Sequence, residues 1–220
     1  MKKSIFTISC ITIGLLFSLQ SYADNIKNLD TIKQDLIHYH DSGLYDKNIN
    51  TVISQAQKYL ATRLASPKST DKLAIVLDID ETSLSNYHDM VNMSFGGTFK
   101  EIVDAEGKGT DTVIQPTLAL YRYAKAHHVA VFFITGRTEN YRAGTIKNLN
   151  QVGYHDWDGL TLKAENYHQK TAATYKIAER QAITKQGYDI VLNIGDQKSD
   201  LVGGYADKTF RLPNPYYLVP

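Results

Sequence analysis

The sequence predicts an α/β fold: a three-layer, Rossmann-like parallel sheet with helices on both faces, plus N-terminal helices and a small cap-like insertion. Three observations carry this expectation. Residues 73–77, 129–134 and 190–194 are short, continuous apolar runs, as strands buried on both faces require. Helical stretches lie between them, at about 117–127, 139–151 and 169–186. Each apolar run ends in a polar signature, and ligands of open α/β sheets bind at the carboxyl ends of the strands. Strand–helix–strand repetition implies right-handed crossovers.

The chain starts Met1-Lys2-Lys3, continues largely apolar from Ile5 to Leu19, and reaches the small-residue site Ser21-Tyr22-Ala23. This is the pattern of a secretory signal peptide spanning residues 1–23 and cut after Ala23. Export to the periplasm or the extracellular space is therefore expected. The apolar run is shorter than the roughly 20 residues of a spanning helix, so no membrane span is expected after cleavage. The only cysteine, Cys10, lies inside this leader. Thr7-Ile8-Ser9 is a poor approach to a lipidation site and the apolar run continues past Cys10, so no lipid anchor is expected. Export permits disulfides, yet the mature chain would have no cysteine, so its core alone must hold it.

Residues 24–220 suit one domain with modest decoration. A composition of 43% hydrophobic and 21% charged residues is globular, and a net charge of +1 leaves no electrostatic footprint for a nucleic-acid polymer or an anionic membrane. A homo-oligomer is compatible with the sequence. Within residues 24–66, Ile26, Leu29, Ile32, Leu36 and Ile37 keep close to helical spacing. After the turn His40-Asp41-Ser42-Gly43, Ile49, Val52, Ile53, Ala56, Tyr59, Leu60 and Leu64 repeat the pattern. Two amphipathic helices beside the main domain are expected.

The first apolar run ends in Leu77-Asp78-Ile79-Asp80-Glu81-Thr82. Residues 84–115 follow as a long, glycine-bearing insertion, read as a cap-like wall over the site. Its Tyr87, Phe95 and Phe99 are candidate substrate-pocket residues able to stack on a base; the competing reading is simple packing. Asp78 and Asp80, two apart at a strand end, can reach one site. Phosphoryl transfer needs a nucleophile, a proton donor for the leaving oxygen, and cations. Asp78 can attack phosphorus, while Asp80 protonates the leaving alkoxide and then deprotonates water. Like charges should raise the pKa of Asp80, and a metal should lower that of Asp78. Two acids after a strand can instead cap a helix. A calcium loop is disfavoured, because Ser83 stands where its glycine belongs.

The second run ends in Thr135-Gly136-Arg137, a hydroxyl and backbone N–H groups suited to phosphate at a helix start, or an ordinary glycine turn. The third ends in Gly195-Asp196-Gln197-Lys198-Ser199-Asp200, whose Asp196 and Asp200 offer hard oxygens for Mg²⁺, or a turn with an N-cap. Lys163, Lys170 and Lys176 are candidates for the cation near phosphate.

The order Asp78-Ile79-Asp80-Glu81-Thr82, Ile134-Thr135-Gly136-Arg137, a lysine, then Gly195-Asp196-Gln197-Lys198-Ser199-Asp200 resembles the haloacid dehalogenase superfamily. Within it, the chain resembles the acid phosphatases that include plant vegetative storage proteins and bacterial class B and class C enzymes. Residues 78–86 read Asp-Ile-Asp-Glu-Thr-Ser-Leu-Ser-Asn, close to the plant-type hallmark. Tyr175-Lys176-Ile177-Ala178-Glu179-Arg180, Gly187-Tyr188 and Arg211-Leu212-Pro213-Asn214-Pro215-Tyr216-Tyr217 also fit that group. The resemblance covers roughly residues 70–217. It implies Asp78 as nucleophile, Asp80 as acid and base, and Thr135 with Gly136 and Lys176 around the phosphoryl group. It implies Mg²⁺ on Asp78, Asp196 and the backbone carbonyl of Asp80, supported by Asp200. Lys198 departs from an aromatic common in relatives.

The expected activity is Mg²⁺-dependent hydrolysis of small phosphomonoesters, nucleoside 5′-monophosphates among them. Phosphotransfer to an alcohol and a non-catalytic binding or storage protein are the alternatives. Some storage relatives lack the nucleophile, which Asp78 supplies here. Dehalogenation does not need the acid at Asp80.

Overall fold

The computed structural model describes residues 26–66, 72–168 and 171–219. The leader with Cys10 and its cleavage site, and Lys170, lie outside the described residues. From the amino end the elements are α1 (Leu29–Asp41), α2 (Leu44–Ala65), β1 (Lys72–Leu77), β2 (Leu84–Ser85), α3 (Tyr87–Asn92) and α4 (Phe99–Lys108). Next come β3 (Thr112–Val113), α5 (Gln115–Ala126), β4 (Ala130–Thr138), α6 (Arg142–Val152) and β5 (Gly159–Lys163). The chain ends with α7 (Ala173–Lys185), β6 (Tyr188–Gly195), α8 (Lys198–Leu201) and β7 (Lys208–Arg211).

The three apolar runs form the inner strands of a five-stranded sheet in the order β5-β4-β1-β6-β7. Every pairing in it is parallel. Ala74 of the central strand pairs with Ala130 on one side and Ile190 on the other. Alternate residues serve opposite faces. Ile75, Leu77, Val131 and Phe133 pack on one face with Ile49, Ile53 and Leu60 of α2 and with Leu118, Tyr121 and Ala124 of α5. Ala74, Val76, Phe132 and Ile134 pack on the other with Ile183 of α7. Helices therefore cover both faces.

The N-terminal pair differs from expectation in one respect. α1 has no buried residue and stays peripheral. α2 is core: Ile49, Ala56 and Leu60 are all wholly inaccessible. Apolar spacing identified both helices, but only burial separates a cladding helix from a structural one.

The insertion is closed at its base by the antiparallel pair β2 and β3, with Leu84 opposite Val113 and Ser85 opposite Thr112. Thr98 and Glu101 form a capping box that starts α4. The far end of α4 meets α6 backbone to backbone. A Cβ built on Gly144 would lie 2.3 Å from the Gly107 carbonyl oxygen, and one on Gly107 would lie 2.3 Å from the Tyr141 ring. Only glycine permits that approach. The cap is thus seated on the body of the domain.

The aromatic residues of the insertion correct the expected substrate pocket. Tyr87 is buried, stacks on His40 with ring centroids 3.4 Å apart, and donates its hydroxyl to Asp41 Oδ1 at 3.0 Å. Phe95 stacks on Tyr216 at 5.9 Å. Both pack the insertion against α1 and the C-terminal segment, and neither lines the cavity described below. The Phe99 side chain lies outside the described residues. Among the described residues, no helix is long and apolar enough to cross a membrane.

Candidate active site

The signatures at the ends of β1, β4 and β6 converge on one cavity of about 120 Å³, lined by Asp78, Asp80, Gly136, Lys176, Asp196 and Asp200. The cap adds Val103 and Glu106, β5 adds Lys163, and the C-terminal segment adds Tyr217 and Val219.

Asp78 follows the last residue of β1, and its N–H donates to the Ile194 carbonyl at 2.9 Å. The chain then turns sharply: the N–H groups of Thr82, Ser83 and Leu84 all converge on the Ile79 carbonyl. Glu81 takes a left-handed φ of 49° in that turn. Its carboxylate accepts the Tyr45 hydroxyl of α2 at 2.5 Å and the Asn86 N–H at 2.6 Å. Burial pushes Glu81 up to about 8 despite these bonds. The turn brings the side chains of both Asp78 and Asp80 to the cavity.

Lys176 reaches in from the first turn of α7. Its Nζ lies 2.7 Å from Asp78 Oδ1 and 2.5 Å from Asp200 Oδ1, and all three side chains are buried. Burial disfavours the ammonium, but Asp200 and Asp78 outweigh that and raise Lys176 well above its ordinary value. The same helix also holds β4 and the segment after β6. The Tyr175 hydroxyl donates to the Thr135 carbonyl, and Arg180 donates to the carbonyls of Asp200, Val202 and Gly204.

Asp78, Asp196 and Asp200 each present a carboxylate oxygen within 4.8 Å of the others. Burial, and then the crowding of Asp200 and Asp196, raises Asp78 well above the carboxylate range even with Lys176 beside it. Burial and Asp200 push Asp196 up to about 6. Three buried acids around a single ammonium leave excess negative charge, and hard oxygen donors suit a divalent cation such as Mg²⁺. The residues present fit that group. Gln197 and Asn214 orient Asp196 by donating to its Oδ2 at 2.5 and 2.7 Å. Asp200 Oδ2 accepts the Gln197 N–H at 2.8 Å. A side chain at Gly195 would collide with Asp200, because its Cβ would lie 2.4 Å from that residue's Cβ.

Asp80 departs from expectation. Its carboxylate lies outside the three-acid group and is forked by Arg137, with Nη2 at 2.7 Å and Nε at 3.1 and 3.2 Å. Asn86 Nδ2 adds a bond at 3.0 Å. Burial alone would raise this acid, but Arg137 overrides it and holds Asp80 below the usual range. The expected elevation by like charge loses to a bidentate guanidinium. Thr135 is wholly buried, accepts the Arg137 N–H at 3.1 Å, and turns its hydroxyl toward Asp80 Oδ2 at 3.5 Å. No helix starts at Thr135-Gly136: β4 runs on to Thr138, a short 3₁₀ turn follows, and α6 begins at Arg142.

The sequence of residues 7–220 matches the model of the family described as HAD superfamily, subfamily IIIB (Acid phosphatase). The chain belongs to this acid phosphatase family. Acid phosphatase 1 of Solanum lycopersicum is 35% identical over 179 residues, 80% of this chain and 69% of that protein. The stem 28 kDa glycoprotein of Glycine max is 34% identical over 90% of this chain and 80% of its own length. Vegetative storage protein 1 of Arabidopsis thaliana is 32% identical over 89% and 75%. Among solved structures, the class C acid phosphatase from Bacillus anthracis superposes with a TM-score of 0.73 at 23% identity, covering 86% of each chain. This acid phosphatase is a phosphomonoesterase of the HAD superfamily with a parallel five-stranded sheet.

In this acid phosphatase, sequence reasoning did not assign Arg137, Glu106, Arg180, Asn214 or Asp111. Arg137 was visible only as the end of a Thr-Gly-Arg turn. Asp111 and Glu106 lie in the insertion, where no spacing rule ties a residue to a distant strand end. Lys163 lines the cavity but lies near no acid of the three-acid group closely enough to pair with it; Lys176 takes that place.

Proposed function

We propose that this acid phosphatase hydrolyses small phosphomonoesters through an aspartyl-phosphate on Asp78, with Mg²⁺ held by Asp78, Asp196 and Asp200. The observation that carries the reading is Lys176 seated between Asp78 and Asp200 beside a third acid. Lys176 fixes Asp78 Oδ1, so the carboxylate has one defined orientation toward the cavity. The cation, when bound, neutralises charge on the phosphoryl oxygens and on the crowded acids. Asp80 sits at the cavity with its side chain 15% exposed, where it meets leaving group and water. Arg137 holds it as a carboxylate in the free site, so it must gain a proton with the bound substrate before giving one to the leaving oxygen; as a carboxylate it then takes one from water. Gly136 and Lys176 line the cavity where the phosphoryl group would sit, with the buried Thr135 behind them, its hydroxyl toward Asp80.

The leaving group has room in a second cavity of about 350 Å³ that shares Val103, Gly136 and Lys163 with the first and adds Tyr141 and Tyr167. Nucleoside 5′-monophosphates belong in the substrate panel on this ground, since Tyr87 and Phe95 are committed to packing. Export through a leader cleaved after Ala23 goes with this reading, supported by the basic start and the short apolar run.

The test is turnover of p-nitrophenyl phosphate and nucleotides with Mg²⁺, comparing wild type with Asp78→Asn. Turnover should fall at least about a thousandfold, with radiolabelled phosphate trapped on Asp78 in wild type only. Equal turnover in the two proteins, or label on another residue, would discard the reading.

A further inference from the structure

Arg137 carries a side chain with no solvent exposure. A buried guanidinium must have its N–H groups matched, or the desolvation is not recovered. Here the matching joins two parts of the chain. Nε and Nη2 fork Asp80, while Nη2 also donates to Asp111 Oδ2 at 2.6 Å. Nη1 donates to the Glu106 carbonyl at 3.0 Å, at the end of α4. Asp111 is itself immobilised: its N–H donates to Asn148 Oδ1 at 2.9 Å, and its carbonyl accepts from Asn148 Nδ2 at 2.9 Å. Asp111 stands where the insertion returns to the domain, immediately before β3. The acid that faces the substrate is thus oriented by an arginine that also binds Asp111 and the Glu106 carbonyl in the cap, with Nη1 3.5 Å from Thr145 Oγ1 of α6.

We propose that Asp111 is a positioning residue for proton transfer: by fixing Arg137 it aims Asp80 at the leaving oxygen. The inference rests on the reading of Asp80 given above. In the first half-reaction the bond from phosphorus to the alcohol oxygen breaks as the bond from phosphorus to an Asp78 oxygen forms. The proton of the Asp80 carboxyl goes to the departing alkoxide, leaving a carboxylate that Arg137 receives. In the second half-reaction water attacks phosphorus, the bond to Asp78 breaks, and the proton of water returns to Asp80. Both steps need the same Asp80 oxygen to stay on line. Asp111 takes the remaining N–H of Nη2, the nitrogen that also binds Asp80, so with Nη1 on the Glu106 carbonyl the plane of the guanidinium is fixed on the side that meets Asp80.

A merely structural role for Asp111 would slow every substrate alike, whereas a positioning role shows in the leaving group. An alkoxide departs with difficulty unless protonated, but p-nitrophenolate leaves readily without help. The experiment compares kcat/KM, which reports the steps up to transfer of the phosphoryl group to Asp78, for glycerol 3-phosphate and p-nitrophenyl phosphate in wild type, Asp111→Asn, Asn148→Ala and Asp80→Asn. Asp111→Asn is expected to lose roughly tenfold or more on the alkyl ester and under about threefold on the aryl ester. Asn148→Ala, which keeps every charge, should show the same split in smaller measure and carries the test if Asp111→Asn does not fold. Equal losses on both esters in these two variants, with a clear split in Asp80→Asn, would overturn the role of Asp111. Equal losses in Asp80→Asn as well would instead overturn the assignment of Asp80.

Discussion

Lys176 is the residue on which the charges of the site balance. It is 5% exposed in its side chain and lies between two acids that are 7% and 3% exposed. Replacing it by Met removes the ammonium and leaves both carboxylates buried, a change that costs about 3–5 kcal/mol when a buried pair is broken. Lys176→Met should therefore lose about 3 kcal/mol of unfolding free energy in urea at low divalent cation, and phosphatase activity should fall more than about a hundredfold. Added Mg²⁺ should return part of the stability and none of the activity. A stability change under about 1 kcal/mol would contradict the buried-pair geometry. Asp78, Asp196, Asp200 and Lys176 were legible because each sits beside a strand end or on the helix that crosses beneath it. Asp80 lines the cavity as its strand-end spacing predicts, but its electrostatics differ from what that spacing suggests. The elevation expected from neighbouring acids ignores a guanidinium 57 positions away, which no spacing reveals. Tyr87 and Phe95 misled for a related reason, since an aromatic in an insertion serves packing or substrate according to which way the chain turns.

Strands were readable in proportion to how fully they are buried. β1, β4 and β6 are apolar because both faces are covered, so each shows as an unbroken run. β5 and β7 close the sheet edges, where Gly159-Leu160-Thr161-Leu162-Lys163 and Lys208-Thr209-Phe210-Arg211 are largely part-exposed or exposed. Such edge strands carry no comparable signal. The helix α7 shows what element-level placement achieves: from one rigid rod Tyr175 binds β4 at Thr135, Lys176 binds Asp78 after β1, and Arg180 binds α8 at Asp200. The contact of α4 with α6 is the corresponding feature of the cap. Gly144→Ala would drive a methyl group against the Gly107 carbonyl, and backbone cannot retreat as a side chain can. Overpacking of this kind costs about 1–3 kcal/mol. The variant should show that loss in thermal or urea unfolding, together with a fall in activity of roughly tenfold, because Glu106 and Asp111 move with α4. Unchanged activity at reduced stability would mean that the cap does not need this seat.

For the molecule as a whole, the three-acid cluster is a cost in the absence of a cation and a source of stability in its presence. Folding must bring Asp78, Asp196 and Asp200 within 4.8 Å of one another, and a cation that binds only this folded arrangement stabilises it by about 2.7 kcal/mol at a hundred times its dissociation constant. Scanning calorimetry should find that Mg²⁺ raises the melting temperature of wild type by about 5 °C or more relative to EDTA. Asp196→Asn should show little shift, and in EDTA it should be at least as stable as wild type, since one of three crowded charges is gone. A similar Mg²⁺ shift in both proteins would place the cation elsewhere.

The position of β1 has a consequence for how the chain comes to be folded at all. Among the described residues it is the first strand in sequence, yet it lies at the centre of the sheet, and its two neighbours arrive with Ala130 and Ile190. Nascent chain emerging from the ribosome holds β1 with no partner on either side until more than half its length has been made, and with only one until nearly the end. Contacts so distant in sequence form slowly, on the order of milliseconds to seconds. The sheet and the active site cannot be completed until β6 and Asp196 have been made, so the site is among the last parts of the chain to assemble.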